Sequence, residues 1–216
     1  NRLRRLLAGT KITFGLYVGS TPADDSEVSN VEQMQEGEGR EDLARYEKKY
    51  RRHENMIITP WEDRLTERQM AEKPPRILLT NSNQLELLLT RGKDIGMFVG
   101  APLKFLVFDE AHTYTGAAGA EVGCLVRRIR SFCGKKADDV ICIGTSATVT
   151  DPERGEEAGA HFAHRFFGID PEKVVLVKEE YQEQEWPKDM FVPEIPEDEP
   201  ELLINEALEA VDGEGD

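Results

Sequence analysis

Lys104-Phe-Leu-Val-Phe-Asp-Glu-Ala-His-Thr-Tyr-Thr-Gly116 is the stretch that decides how this chain folds. Phe105 to Phe108 has the apolar character of a short buried strand, and it stops abruptly at Asp109, Glu110 and His112. A buried Asp or Glu without a partner costs several kcal/mol, so packing alone does not place two of them where a core strand gives out. A hydrated Mg²⁺ and a nucleoside triphosphate do, with the first acid near the metal and the second near the attacking water.

Working outward, five apolar runs predict strands: Ile12–Val18, Arg76–Leu79, Lys104–Phe108, Asp139–Ile143 and Val174–Lys178. Most are rich in Val, Ile and Phe with little alternation, as parallel strands covered on both faces are. Between the last three lie two helices. From Glu121 to Cys133 the residues Val122, Leu125, Val126, Ile129, Phe132 and Cys133 recur at helical spacing. Arg127, Arg128 and Arg130 take the other side, which predicts a solvated face more readily than a nucleic-acid contact. Asp151-Pro152-Glu153 opens the second helix with a cap, a first-turn proline and an acid at the positive dipole end; Gly168 stops it after about Phe167. Strand, helix, strand, helix, strand predicts a doubly wound α/β layer.

Two regions fall outside that layer. Residues 23–75 are longer than an ordinary connection and are expected to form a charged insertion, its acidic Gly/Ser-rich start mobile, with helices over Arg40–Arg52 and Trp61–Met70. Residues 187–216 read as an acidic linker or tail, with Leu202, Leu203, Ala207, Leu208 and Val211 at helical spacing.

The formal net charge of the 216 residues is -15. Its distribution matters more than its size. Glu179 to Asp216 holds 15 acids and one base, which leaves 27 acids against 26 bases in residues 1–178. The body is close to neutral, with basic clusters at Arg2-Arg4-Arg5, Lys48–Arg52 and Arg127-Arg128-Arg130, so the overall acidity does not exclude a polyanionic partner. No run approaches the roughly 18 apolar residues of a membrane span, and no signal segment opens the chain; a soluble, cytoplasmic protein is expected. Cys124, Cys133 and Cys142 form no CxxC pair and are expected as buried, reduced thiols.

Motif by motif, the chain resembles superfamily 2 helicases. Asp109-Glu110-Ala111-His112 at one strand end and Thr145-Ser146-Ala147-Thr148 at the next look like motifs II and III. Ile77-Leu78-Leu79-Thr80-Asn81, followed by Leu85-Glu86, is similar to motif Ib, and Leu16 to Pro22 falls where these proteins have a strand and glycine turn facing nucleic acid. The longer string DEAHTYTGAAGAEVGCLVRRIR resembles one branch, the bacterial DEAH-type repair helicases and related helicases of phage-defence operons. The resemblance runs through residues 1–186 and implies a partial first RecA-like domain from 1–22 and 76–186, a parallel P-loop NTPase-type sheet flanked by helices.

It also implies roles. Asp109 would hold Mg²⁺ through water, Glu110 would orient and deprotonate the water that attacks the γ-phosphate, and His112 would hydrogen-bond across the nucleotide cleft. Ser146 and Thr148 would couple nucleotide state to domain movement. Thr80, Asn81 and Gly19 would meet the nucleic-acid backbone, which positions a strand without reading bases. The implied cofactors are ATP and Mg²⁺. The implied partners are nucleic acid, with DNA favoured, and a second RecA-like domain bearing an arginine finger.

Each motif also has a plainer structural role available. Ser146-Ala147-Thr148 serves as a helix start, Thr80-Asn81 as a turn, and His161 with His164, lacking a third ligand nearby, as a partly buried helix face rather than a metal pair. No G-x-x-x-x-G-K-[ST] occurs in the sequence. In the resembling family that loop precedes the glycine-turn region, which would put it before Asn1; the sheet is then incomplete and the chain alone is expected to be a poor ATPase or none. Two other readings compete: a catalytically silent RecA-like platform within a multiprotein complex, and a metal-dependent hydrolase using Asp109, Glu110 and His112 with His161 or His164.

Overall fold

The computed structural model describes residues 1–28, 31–50, 57–146 and 155–177, and every structural statement below concerns these. Asn1–Leu176 forms one unit. Of the second, Val177–Asp216, only Val177 is described, so the expected tail and its helical spacing lie outside the described residues.

In chain order the elements are α1 (Arg2–Leu7), β1 (Phe14–Leu16), β2 (Val31–Gln33), α2 (Arg40–Tyr50), β3 (Ile57–Thr59), β4 (Asp63–Arg64), α3 (Glu67–Glu72), β5 (Ile77–Leu79), α4 (Ser82–Thr90), β6 (Phe105–Phe108), α5 (Gly116–Phe132), β7 (Ile141–Gly144) and α6 (Gly155–Phe167). Every strand pairing is parallel: β4-β1-β5, β2-β3 and β6-β7. The fold is α/β, parallel sheets flanked by helices, as expected. Instead of one continuous layer, however, the described strands form three ladders.

Side chains join the first and last of these ladders. Leu85, Leu88 and Leu89 of α4, Val122, Leu125, Val126 and Ile129 of α5, and Phe166 and Phe167 of α6 share one core with Tyr17 and Leu106. The buried positions Val122, Leu125, Val126 and Ile129 of α5 are spaced three, one and three apart, the stripe that the periodicity of the sequence predicts. Phe108, at the end of β6, meets Tyr114 edge-on at 5.8 Å and Phe166 at 5.2 Å, so the Asp-Glu-Ala-His turn stands on an aromatic platform. A smaller cluster of Ala8, Met34, Leu43 and Ile58 binds α1 and α2 to the β2-β3 ladder.

The structure corrects several expectations. Val174–Val177 is not a strand: no described neighbour supplies a ladder for its backbone, and Val175 and Val177 are 82% and 94% exposed. The region 23–75 is not wholly outside the sheet, because β4 pairs with β1, Phe14 opposite Asp63 and Gly15 opposite Arg64. Its charge hid it. Asp63 is buried against Arg4 at 2.6 Å, while burial raises its carboxyl above the usual range despite that guanidinium. The second helix of the region begins at Glu67, with Thr66 capping the Gln69 amide, and not at Trp61.

The arginines of α5 are only in part the expected solvated face: Arg127 is exposed and Arg128 half-buried, but Arg130 is buried, and all three are engaged by neighbouring helices. Arg127 donates to the carbonyls of Arg165 and Phe166, and Arg130, buried, donates to the Phe167 carbonyl at 2.7 Å. These carbonyls belong to the last turn of α6, which has no intrahelical donors for them. Gly168, at φ 66, then ends the helix, as its place in the sequence predicts. The expected start of α6 at Asp151-Pro152-Glu153 lies outside the described residues, and the helix is described from Gly155. Arg128 pairs with Glu86 of α4. Cys133 is buried and Cys142 half-buried, but Cys124 is exposed; all three are free.

Candidate active site

The parallel register of β6 and β7 sets Phe108 opposite Gly144, so the residues that follow each strand meet. Asp109, Glu110 and His112 come from one strand end and Thr145 and Ser146 from the other. Gly144 permits the approach: a Cβ there would stand 3.2 Å from the Cβ of Ala111.

Thr145 grips the turn through its main chain and its hydroxyl. Its amide donates to the Phe108 carbonyl at 2.9 Å, and its carbonyl accepts from the Ala111 amide at 2.8 Å. Its hydroxyl donates to Asp109 Oδ1 and accepts from the Glu110 amide at 3.2 Å. Glu110 itself is left-handed, at φ 50 and ψ 46. That conformation costs a residue with a Cβ roughly 1–2 kcal/mol and persists where surrounding bonds hold it. Thr113 adds a hydroxyl bond to the Glu110 carbonyl at 2.8 Å.

His112, half-exposed, places Nδ1 3.0 Å from the Ser146 hydroxyl and 3.3 Å from Glu110 Oε2. One ring nitrogen cannot serve both in the same way. Protonated it donates, and a carboxylate is the stronger acceptor; unprotonated it accepts from Ser146.

The donor set suits Mg²⁺ in the way such ions are held by one or two carboxylates, waters and phosphate oxygens. Asp109 is exposed, and among the described residues its Oδ2 accepts no hydrogen bond while Oδ1 is fixed by Thr145. An all-protein metal cage is not formed: among the described residues no group of three or more His, Cys, Asp or Glu side chains converges. His161 and His164 lie exposed on α6 rather than on a partly buried face, and His164 Nδ1 faces the Ile169 carbonyl at 2.8 Å.

The other singled-out residues gather at a second strand end. Leu16 and Leu79 pair at the close of β1 and β5, and the Tyr17 amide donates to the Leu79 carbonyl at 2.8 Å. The turn carrying Gly19 therefore lies beside Thr80 and Asn81. Thr21 closes that turn, its amide donating to the Val18 carbonyl at 2.9 Å, and a Cβ on Gly19 would meet nothing within 4 Å. Asn81 caps α4 by accepting from the Gln84 amide at 2.8 Å, so its Oδ1 is already engaged. Thr148 lies outside the described residues.

Sequence reasoning included Thr145 in the motif III string but gave it no role. The signal was present: two strands of equal length, paired in parallel, bring the first residue after one against the first residue after the other.

No family model matches the chain. It is 36% identical over 126 residues to the Druantia protein DruE of Escherichia coli (strain UMEA 4076-1), covering 53% of this chain and 7% of that protein. It is 37% identical over 93 residues to the uncharacterized ATP-dependent helicase YprA of Bacillus subtilis (strain 168), covering 42% of this chain and 12% of that protein. In part, the chain is related to ATP-dependent helicases. It spans about a tenth of the length of these curated relatives. The crystal structure of the DUF1998 helicase MrfA aligns with 71% of this chain and 22% of its own, at 23% identity and a TM-score of 0.36, too slight a likeness to carry an argument. Among the described residues no helix is long and apolar enough to cross a membrane.

Proposed function

We propose that this chain supplies the acid, the base and the coupling residues of an ATP-dependent superfamily 2 helicase or translocase that acts on DNA in repair or defence. One observation carries the reading. The Asp-Glu-Ala-His turn is tied to the end of the next strand by both Thr145 and Ser146, a physical connection through which nucleotide state would reach the segment that follows. The partial relation to an ATP-dependent helicase supports it independently.

In this reading residues 1–22 and 76–186 belong to a first RecA-like domain, residues 23–75 are a charged insertion that lends one short strand to its sheet, and residues 187–216 lead toward a second RecA-like domain. Asp109 holds Mg²⁺ through water, and Glu110, left-handed and exposed, takes a proton from the attacking water. The metal, when bound, supplies charge neutralisation at the phosphates. His112 stands between Glu110 and Ser146; Thr148, outside the described residues, keeps the coupling role that the resemblance implies. Thr80 and the Gly19 turn offer hydroxyl and main-chain groups to a phosphate backbone, and Asn81 offers its amide nitrogen. In this reading the protein works in the cytoplasm.

The test is ATP hydrolysis by the complete gene product with single-stranded DNA, single-stranded RNA or neither. Stimulation by DNA above that by RNA is expected. Equal turnover in all three arms would remove nucleic acid from the mechanism.

A further inference from the structure

We infer that Thr145 is a positioning residue that sets the geometry of Asp109 and Glu110 together through its single hydroxyl group. The inference rests on the proposed roles of those two carboxylates and adds to them a residue outside the Ser-Ala-Thr triplet.

A threonine hydroxyl has one proton to give and lone pairs to accept with. Here the proton goes to Asp109 Oδ1, and the Glu110 amide points at the oxygen from 3.2 Å. The same atom thus orients one acid by its side chain and the other by its backbone. The main chain of Thr145 is fixed on either side, its amide on Phe108 at 2.9 Å and its carbonyl on the Ala111 amide at 2.8 Å. The β-branched side chain has few rotamers to choose from, so the hydroxyl is aimed rather than merely near. Holding the exposed Asp109 by Oδ1 leaves Oδ2, which accepts no hydrogen bond among the described residues, as the oxygen that would serve a water-bound cation. Holding the Glu110 amide helps keep that residue left-handed, with its carboxylate 3.3 Å from His112 Nδ1.

Removal of the hydroxyl alone should therefore loosen both acids and leave the strand pairing intact. The variants are Thr145→Val, which keeps the shape, and Thr145→Ser, which keeps the hydroxyl, made in the complete gene product alongside Glu110→Gln. Two readouts are taken. The first is amide hydrogen exchange at single residues. In Thr145→Val the Glu110 amide should exchange about 10-fold faster, while the Ala111 amide, bound to the Thr145 carbonyl, should not change. The second is steady-state ATP hydrolysis. In Thr145→Val kcat should fall about 10- to 100-fold with the KM for ATP within about twofold, and Thr145→Ser should restore most of it.

Unchanged kcat in Thr145→Val beside an inactive Glu110→Gln would overturn the inference and spare the proposed function. Should the unaltered protein hydrolyse no ATP, the proposed function fails, and exchange still decides Thr145: an unchanged Glu110 amide overturns it. Should Thr145→Val not fold, the unaltered protein suffices, because a Glu110 amide exchanging as fast as unbonded exposed amides would contradict the hydrogen bond itself.

Discussion

His112 and Ser146 face each other across two strand ends, with Nδ1 and Oγ 3.0 Å apart. The same nitrogen lies 3.3 Å from Glu110. One imidazole nitrogen thus stands between the proposed base and the following segment, and its protonation decides which of the two it answers.

His112→Ala should uncouple more than it disables. Coupling free energies of this kind correspond to about 5-fold or more in the linked response. We expect nucleic-acid stimulation of ATP hydrolysis to fall by at least about that factor, while unstimulated turnover changes less. Measured with and without DNA, an equal loss in both would instead make His112 part of the chemistry.

Arg130→Met tests the cap on α6. The substitution keeps bulk and removes the donor to the Phe167 carbonyl, in a side chain that is only 5% exposed. Loss of a charged, buried hydrogen bond costs about 1.5–3 kcal/mol, so the melting temperature should drop by several degrees. An unchanged melting curve would mean that water serves that carbonyl equally well.

Much of this architecture is legible in the sequence, and the rest is hidden for definite reasons. The stripe of α5 and the stop at Gly168 are local properties and read directly. Asp63–Arg64 does not look like strand because its burial depends on Arg4, 59 residues away. The bonds of Arg127 and the burial of Arg130 are hidden because their partners are carbonyls of another helix, which no periodicity shows. In the site, Asp109, Glu110, His112 and Ser146 stand out by type and place. Thr145 is quoted with its neighbours, but its role does not stand out, since it comes from the register that sets Phe108 opposite Gly144.

Thiol reactivity should separate the cysteines by pH. Burial pushes the thiols of Cys133 and Cys142 up, so less thiolate is present at a given pH and alkylation waits for a more alkaline solution. Cys124 is exposed and should be labelled first by iodoacetamide near neutral pH, as peptide mass spectrometry would show. Equal labelling of all three at neutral pH would contradict the packing around α5 and β7.

The most direct measurement is DNA-stimulated ATP hydrolysis by the complete gene product and its Glu110→Gln variant, with Mg-ATP binding measured in parallel. General base catalysis contributes about 10²- to 10⁴-fold, so turnover should fall by at least about 100-fold while the variant still binds nucleotide. Unchanged turnover in Glu110→Gln would contradict the assignment of Glu110 as the base, and with it the central claim about the Asp-Glu-Ala-His turn.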